Sequence, residues 1–331
     1  MVELWYALAA FAIAAYVVLD GYDLGAGILH LFVAKSDADR RAVISAIGPY
    51  WDGNEVWLLA IAGALFVGFP SVLAAAFSGM YLAMFMVVWS LALRGISIEM
   101  RGQSHDELWR AFWDFVFAVS SGVLVVLLAV ALGNVLRGFP LEHGAVVLPL
   151  FTDFTPSPPT GLVDWYTLAV ALFAIAALAR HAALWLSWKS AGDLRARCAR
   201  VANYSGPIVV VSWVGAWAAS LVVAHVAMRP LSFAFAVIAF GSLAASFVFA
   251  RRERFLAAFS ASSAFLASVI FGIASATFPT LLRSIDGKDS MDAYAAAASP
   301  HALAVGSIWY VAGVIAVIVA FARQYRDVEK S

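Results

Sequence analysis

Long apolar runs recur along this chain, and short polar loops separate them. Each run is close to the roughly 20 residues that a helix needs to cross about 30 Å of hydrocarbon. A transmembrane barrel would instead show strands of about ten residues with alternating polarity. With 63% hydrophobic residues and a mean hydropathy of +0.88, the composition is that of a polytopic membrane protein. The sequence therefore predicts an all-α membrane helical bundle.

We predict nine spans within one integral membrane domain over residues 1–331. The first helix bundle, 1–137, carries the intramembrane acids, and the second occupies 161–331. No internal repeat and no long linker divides the chain. The predicted spans are about 4–33, 53–74, 76–98, 110–136, 162–180, 205–228, 231–250, 256–280 and 303–322.

Basic residues are divided unequally between alternate loops. Of the 21 Lys and Arg residues, 17 fall in the loops after spans one, three, five, seven and nine. The positive-inside rule therefore predicts an external N-terminus and a cytoplasmic C-terminus. The 17 are Lys35, Arg40, Arg41, Arg94, Arg101, Arg110, Arg180, Lys189, Arg195, Arg197, Arg200, Arg251, Arg252, Arg254, Arg323, Arg326 and Lys330; the other side has Arg137, Arg229, Arg283 and Lys288.

Charge and cysteine content exclude several classes of function. The formal net charge is zero and no basic tail is present, so nothing indicates nucleic-acid binding. Cys198 is the single cysteine, which excludes an intrachain disulfide and a Cys-x-x-Cys-His haem attachment.

Two carboxylates stand inside the first apolar segment, where each ionised group costs a few kcal/mol. On a helix, Asp20, Asp23, Gly27 and His30 share one face. Such a file of acids and a histidine is typical of a proton or ion path. The alternative is a buried polar patch that pairs with another helix.

The second acid-bearing stretch opens the second predicted span. Asp52 and Glu55 follow Pro49 with the spacing of a capping box, and Asn54 adds an amide at the same level. A cap at the mouth of a bundle can also take protons from water, so both interpretations stand. Arg94, near the end of the third span, lies deep enough to pair with one of these acids, whereas Arg101 is expected to extend to the interface.

The histidines argue against a haem held by this chain. A haem between helices needs axial ligands at a suitable depth. His30 and His181 share a level, but each is more simply a hydrogen-bonded interior histidine. The others are expected in a cytoplasmic loop or towards the external side: His105, His143, His225 and His301.

The two acid-bearing stretches resemble subunit II of the cytochrome bd-type quinol oxidases, the cyanide-insensitive terminal oxidases of bacteria. The matching motifs lie within residues 15–102 and keep that family's order and spacing. They are Leu-Asp-Gly-Tyr-Asp-Leu-Gly at 19–25, Arg40-Arg41, Ile47-Gly48-Pro49, Trp-Asp-Gly-Asn-Glu-Val-Trp at 51–57, Gly-Ala-Leu-Phe at 63–66, Phe-Pro at 69–70, Phe-Ser-Gly at 77–79 and Leu-Arg-Gly at 93–95.

This resemblance implies a nine-helix subunit of the bacterial inner membrane that pairs with a similarly folded subunit I. Haems b and d, or b alone, would lie in that partner, where quinol is oxidised and dioxygen is reduced to water. The resemblance also implies a cytoplasmic proton path through Asp20 or Asp23 and Asp52, with Arg94 at the family's arginine. A structural quinone in this subunit and small single-helix accessory subunits are further expectations.

A proton-coupled secondary transporter is the alternative function, because acids inside a bundle suit it equally well. Transporters are expected to show inverted repeats and broken helices in both halves of the chain. Here the acids cluster in the first half, which favours one member of an asymmetric heterodimer. A purely structural subunit, in which the acids have no function, is the third possibility.

Overall fold

The computed structural model describes residues 1–142, 145–146, 149–224, 229–285 and 289–328. Within them the chain forms eleven α-helices, a 3-10 turn at Arg101–Gln103 and two short hairpins, so the prediction of an all-α bundle is confirmed. The helices are α1 (Val2–Val33), α2 (Asp37–Ile47), α3 (Trp51–Gly68), α4 (Pro70–Gly79), α5 (Tyr81–Met100), α6 (Glu107–Arg137), α7 (Trp165–Lys189), α8 (Gly192–Val223), α9 (Pro230–Arg251), α10 (Phe255–Thr277) and α11 (Pro300–Val328). The hairpins pair β1 (Leu141–Glu142) with β2 (Ala145–Val146) and β3 (Thr280–Leu282) with β4 (Met291–Asp292).

Eight of the described helices are long and apolar enough to cross a membrane, whereas nine spans were predicted. The helix that falls short is α3, because Asp52, Asn54 and Glu55 lower the apolarity of its first turns. Its 18 residues nevertheless extend about 27 Å, close to the thickness of the hydrocarbon core.

Contacts show that α3 runs antiparallel to α1 over most of its length. Asn54 hydrogen-bonds Asp23 near one end of α3, and Gly68 lies against Trp5 at the other. We call the end of the bundle near Trp5 the N-terminal face and the end near Asp52 the Asp52 face. Helix α3 therefore connects the two faces although its composition is more polar than that of the other spans.

The last helix crosses between the same two faces. Gly306 lies against Trp5 at the start of α11, and the Phe321 ring lies against Gly53 near its end. Helices α1 and α11 thus run in the same direction, so the chain starts at one face and finishes at the other. An odd number of crossings, as in the nine-span prediction, satisfies this geometry.

Several predicted boundaries were wrong. Helix α3 ends at Gly68 and not near residue 74, because Pro70 starts the separate short helix α4. Helix α7 continues nine residues beyond the predicted end, which places Arg180 inside a helix and not in a loop. Apolarity marks the lipid-facing part of a helix, whereas backbone hydrogen bonding carries the helix on into polar surroundings. Four residues named above lie outside the described ranges: His143, His225, Lys288 and Lys330.

The loops that follow α6 and α10 meet at the N-terminal face. The Phe139 amide donates to the Arg283 carbonyl oxygen at 2.8 Å, and the Ile285 amide donates to the Phe139 carbonyl oxygen at 3.0 Å. Trp5 packs in the same apolar core as Phe139 and Leu282. These loops therefore cover one end of the bundle together.

Helix α1 lies at the centre of the bundle and contacts both halves of the chain. A Cβ at Gly25 would lie 2.1 Å from the Leu178 carbonyl oxygen of α7, and one at Gly27 would lie 2.1 Å from Ser121 Oγ of α6. The absence of side chains at these positions allows the close approach of neighbouring helices. Asp20 and Asp23 of α1 are consequently buried inside the bundle.

Candidate functional site

Asp20, Glu55 and Arg94 form an ionic group inside the bundle. Arg94 Nη1 donates to Asp20 Oδ1 at 2.7 Å, and Arg94 Nη2 forms an ion pair with Glu55. Asp20 and Arg94 are fully buried, whereas the Glu55 side chain is 25% exposed. The three residues come from α1, α3 and α5, so the group holds three helices together.

Asp23 lies one turn along α1 and is held by an amide. Asn54 Nδ2 donates to Asp23 Oδ2 at 2.7 Å and lies 2.9 Å from the Tyr22 hydroxyl oxygen. Among the described residues, Asp23 Oδ1 and Asn54 Oδ1 have no hydrogen-bond partner although both are buried. Buried polar atoms in native proteins usually have a hydrogen-bond partner, so each of these two oxygens can accept a further hydrogen bond.

We call Asp20, Asp23, Asn54, Glu55 and Arg94 the inner cluster. It contains three carboxyl groups and one guanidinium, so it is electrically neutral only when it also holds two protons. Carboxylates in hydrocarbon surroundings are costly without counter-charges. Such a cluster can take up and release protons close to the Asp52 face.

Asp52 is exposed at the start of α3, and the predicted capping box is wrong. Helix α3 begins at Trp51 with Tyr50 as its N-cap residue, and no side chain caps it. Asp52 is therefore the second residue of the helix, where an acid still interacts favourably with the helix dipole. Glu55 turns instead to Arg94. Asp52 is left in contact with solvent, one helical turn from Glu55.

His30 belongs to a different ionic group, so the single file predicted along α1 is divided. His30 Nε2 lies 2.6 Å from Asp114 Oδ1. Asp114 also accepts from Arg101 Nε at 2.6 Å and from Arg40 Nη1 at 2.9 Å. Arg101 was expected to reach the interface, but its side chain is only 5% exposed. The buried carboxylate of Asp114 draws it inward.

Asp37 extends this second group into the loop helix α2. It forms ion pairs with Arg101 at 2.7 Å, with Arg110 at 3.1 Å and with Arg41. The hydrogen bond from Arg101, together with the positive charges of the arginines, lowers the pKa of Asp37 below its ordinary value. We call Asp37, Asp114 and their partners His30, Arg40, Arg41, Arg101 and Arg110 the arginine-rich cluster.

Sequence reasoning missed Asp114 as a site residue. The signal was present, because Asp114 is an acid at the start of an otherwise apolar run, as Asp52 is. It was missed because its partners come from α1, α2 and the 3-10 turn after α5. The spacing of residues along the sequence does not show that these partners lie next to Asp114.

Among the described residues, His30 and His181 do not form an axial pair for a haem. His181 Nε2 donates to the Val18 carbonyl oxygen at 3.1 Å, and its Nδ1 lies 3.0 Å from Ser262 Oγ. Both ring nitrogens are thus engaged, and His30 faces Asp114. Across the residues that the structure describes, no three His, Cys, Asp or Glu side chains are grouped so as to hold a metal ion.

Arg180 is the corresponding buried guanidinium of the second half, and its surroundings are neutral. Its Nε donates to the Ala202 carbonyl oxygen at 3.1 Å, and its Nη1 donates to Ser246 Oγ at 2.6 Å. The guanidinium carbon lies 4.4 Å from the centre of the Phe247 ring. Within the described ranges Arg180 forms no ion pair.

Comparison with known proteins gives consistent matches. Residues 1–328 match the family described as cytochrome bd terminal oxidase subunit II. The chain is 32% identical over 218 residues to cytochrome bd-I ubiquinol oxidase subunit 2 of Escherichia coli (strain K12), which covers 65% of this chain and 56% of that protein. It is 29% identical over 210 residues to cytochrome bd ubiquinol oxidase subunit 2 of Bacillus subtilis (strain 168), covering 63% and 60%. The matched segment therefore spans little more than half the length of these relatives.

The fold also matches a solved structure. The similarity to a chain of "The structure of bd oxidase from Geobacillus thermodenitrificans" has a TM-score of 0.71 and covers 98% of this chain and 97% of that chain. At 18% sequence identity this likeness concerns the fold alone.

Proposed function

Since the chain belongs to the family of cytochrome bd terminal oxidase subunit II, we propose that it is the second subunit of a quinol oxidase in a bacterial inner membrane. It would pair with a haem-bearing subunit I, which oxidises quinol and reduces dioxygen to water. The names of the relatives, ubiquinol oxidase subunit 2, support this proposal. In this proposal the haems belong to the partner subunit.

The contribution proposed for this chain is a proton path from the cytoplasm. One observation carries it: two carboxyl groups share the Arg94 guanidinium, a third is bonded by Asn54, and the exposed carboxylate of Asp52 lies one helical turn from this group. Reduction of dioxygen consumes protons. Drawing them from the cytoplasm while quinol releases protons outside would generate a transmembrane gradient.

The order of the groups follows from their exposure. Asp52 takes a proton from water and passes it to Glu55, one turn further along α3. Glu55 and Asp20 are held on either side of Arg94, and Asp23 lies one turn from Asp20. Arg94 fixes two of the carboxyl groups, and Asn54 fixes the third. His30 stays outside this path because its ring is bonded to Asp114 in the arginine-rich cluster.

Asp23→Asn and Asp52→Asn test the path in the purified complex. Asparagine keeps the size and part of the hydrogen bonding but cannot carry the proton. We expect both variants to assemble with their normal haem content and to consume oxygen several-fold more slowly. Asp193→Asn is the matched control, because Asp193 is also exposed in the first turn of a helix at the Asp52 face. If both test variants assemble normally and turn over like wild type, the proton path is wrong.

We further propose that the Asp52 face is cytoplasmic and that the N-terminus is external. The division of 17 basic residues against four supports this orientation. Reporter fusions at Arg252 should report cytoplasm, and fusions at Ser157 should report the outside. Reversed signals at both sites would refute the orientation without affecting the family assignment.

A further inference from the structure

Four arginines of the second half lie together at the Asp52 face. Arg251 ends α9, Arg252 and Arg254 lie in the turn to α10, and Arg195 lies in the first turns of α8. The guanidinium carbon of Arg195 is 5.1 Å from the centre of the ring of Phe255, the first residue of α10. We call Arg195, Arg251, Arg252 and Arg254 the arginine patch.

The arginine patch is exposed and lacks acidic partners. All four side chains are exposed, and none forms an ion pair with a carboxylate of the described residues. Asp193 and Glu253 lie in the same turns but do not pair with them. Arg197, by contrast, lies two residues after Arg195 on the same helix and bonds both Asp39, at 2.6 Å, and the Val33 carbonyl oxygen, at 2.7 Å.

Aromatic rings orient two of these guanidinium groups. Arg195 lies over Phe255, and the guanidinium carbon of Arg254 is 5.3 Å from the centre of the Phe249 ring. A ring attracts the cation through its face but accepts no conventional hydrogen bond from the N–H groups. The N–H groups of both side chains therefore remain free to bind an acceptor outside the protein.

The position of the arginine patch indicates what kind of partner supplies this acceptor. Val248, three residues before Arg251, and Leu256, two residues after Arg254, are 46% and 49% exposed. Both belong to helices that are long and apolar enough to span a membrane. The arginine patch thus lies at the boundary between the surface expected to contact lipid chains and water.

We propose that the arginine patch binds the phosphate of an anionic phospholipid headgroup. A guanidinium donates two parallel hydrogen bonds to a phosphate, which suits a headgroup at this depth. Basic clusters next to membrane helices are attracted to anionic lipids of the cytoplasmic leaflet. The apolar residues that border the arginine patch favour a lipid over an acidic protein segment. The proposal is independent of the proposed oxidase activity.

Lipid selectivity of the reconstituted complex tests the proposal. Spin-labelled phosphatidylglycerol and phosphatidylcholine are introduced in turn into phosphatidylcholine bilayers that contain the complex, and the immobilised fraction of each is measured. We expect wild type to prefer phosphatidylglycerol. Arg195→Gln/Arg254→Gln should reduce that preference several-fold. Arg41→Gln/Arg197→Gln is the control, because it removes the same charge from arginines that are paired with acids.

Equal loss of preference in both double variants would overturn the proposal, because general surface charge would then explain the selectivity. An unchanged preference in Arg195→Gln/Arg254→Gln would also overturn it, and an acidic protein partner would become the better explanation. If this variant does not assemble, Arg252→Gln provides the same test, because the Arg252 side chain is exposed and contacts no ring. Its preference should fall below that of wild type, and an unchanged value would refute the proposal.

Discussion

Arg94 and Arg180 are both buried guanidiniums, but their surroundings differ. Arg94, in the first half, contacts the carboxylates of Asp20 and Glu55. Arg180, in the second half, contacts a backbone carbonyl, the Ser246 hydroxyl and the Phe247 ring. The first half therefore buries groups that can exchange protons. The second half buries Arg180, whose neighbouring groups cannot exchange protons.

The same difference appears at the Asp52 face. Five arginines there are paired with Asp37, Asp39 or Asp114, and these acids all lie in the first half. The arginine patch, in the second half, has no such partners among the described residues. Acids thus fix the arginines of the first half in place, whereas the four arginines of the arginine patch present their charge to the surroundings.

Replacing the two buried arginines by leucine should give the largest difference between the halves. Arg94→Leu leaves Asp20 without its buried partner, which typically costs about 3–5 kcal/mol. Arg180→Leu leaves only neutral acceptors, for which about 1–3 kcal/mol is typical. We expect Arg94→Leu to lower the yield and the unfolding temperature of the complex much more than Arg180→Leu. Equal effects would show that the charge of the neighbouring groups does not determine how much each arginine contributes to stability.

Asp114→Asn should produce an intermediate effect. The amide keeps the shape of the carboxyl group but leaves Arg40 and Arg101 without their buried counter-charge, at a cost of about 1–3 kcal/mol. The unfolding temperature of the purified complex should fall, while Asp106→Asn serves as the control because Asn is an equally good N-cap. An Asp114→Asn variant as stable as the control would show that the arginine-rich cluster does not stabilise the fold.

Asp37→Asn should have the smallest effect, and it should depend on pH. The pKa of Asp37 is lower in the folded protein than its ordinary value, chiefly because of the hydrogen bond from Arg101. The ionised form therefore stabilises the fold above the ordinary pKa of an aspartate, and this stabilisation is lost as the pH falls through the lowered value. The unfolding temperatures of wild type and variant should differ at neutral pH and converge at acidic pH. A difference that persists in acid would contradict this interpretation.

Much of the inner cluster was predictable from particular residues. The cost of burying ions identified Asp20 and Asp23, and the acids that open the second predicted span identified Glu55. Depth alone suggested that Arg94 would pair with an acid. The capping box predicted at Asp52 was wrong, because the same residues also fit a helix that begins two residues earlier, at Trp51. Sequence reasoning also failed for His30, because face-sharing along α1 does not tell which neighbouring helix lies opposite each residue.

The sequence by itself determined that this chain is a helical membrane bundle with most of its positive charge at alternate loops. These properties follow from the transfer of single residues between water and hydrocarbon, and such energies depend on composition and order alone. Tertiary structure decided which charges meet. Asp114 joins residues from four separate elements, and Arg180 finds its acceptors on two other helices, because helix packing brings together groups that are distant in sequence. The same packing separated the polar residues of α1, placing Asp20 and Asp23 in the inner cluster and His30 in the arginine-rich cluster.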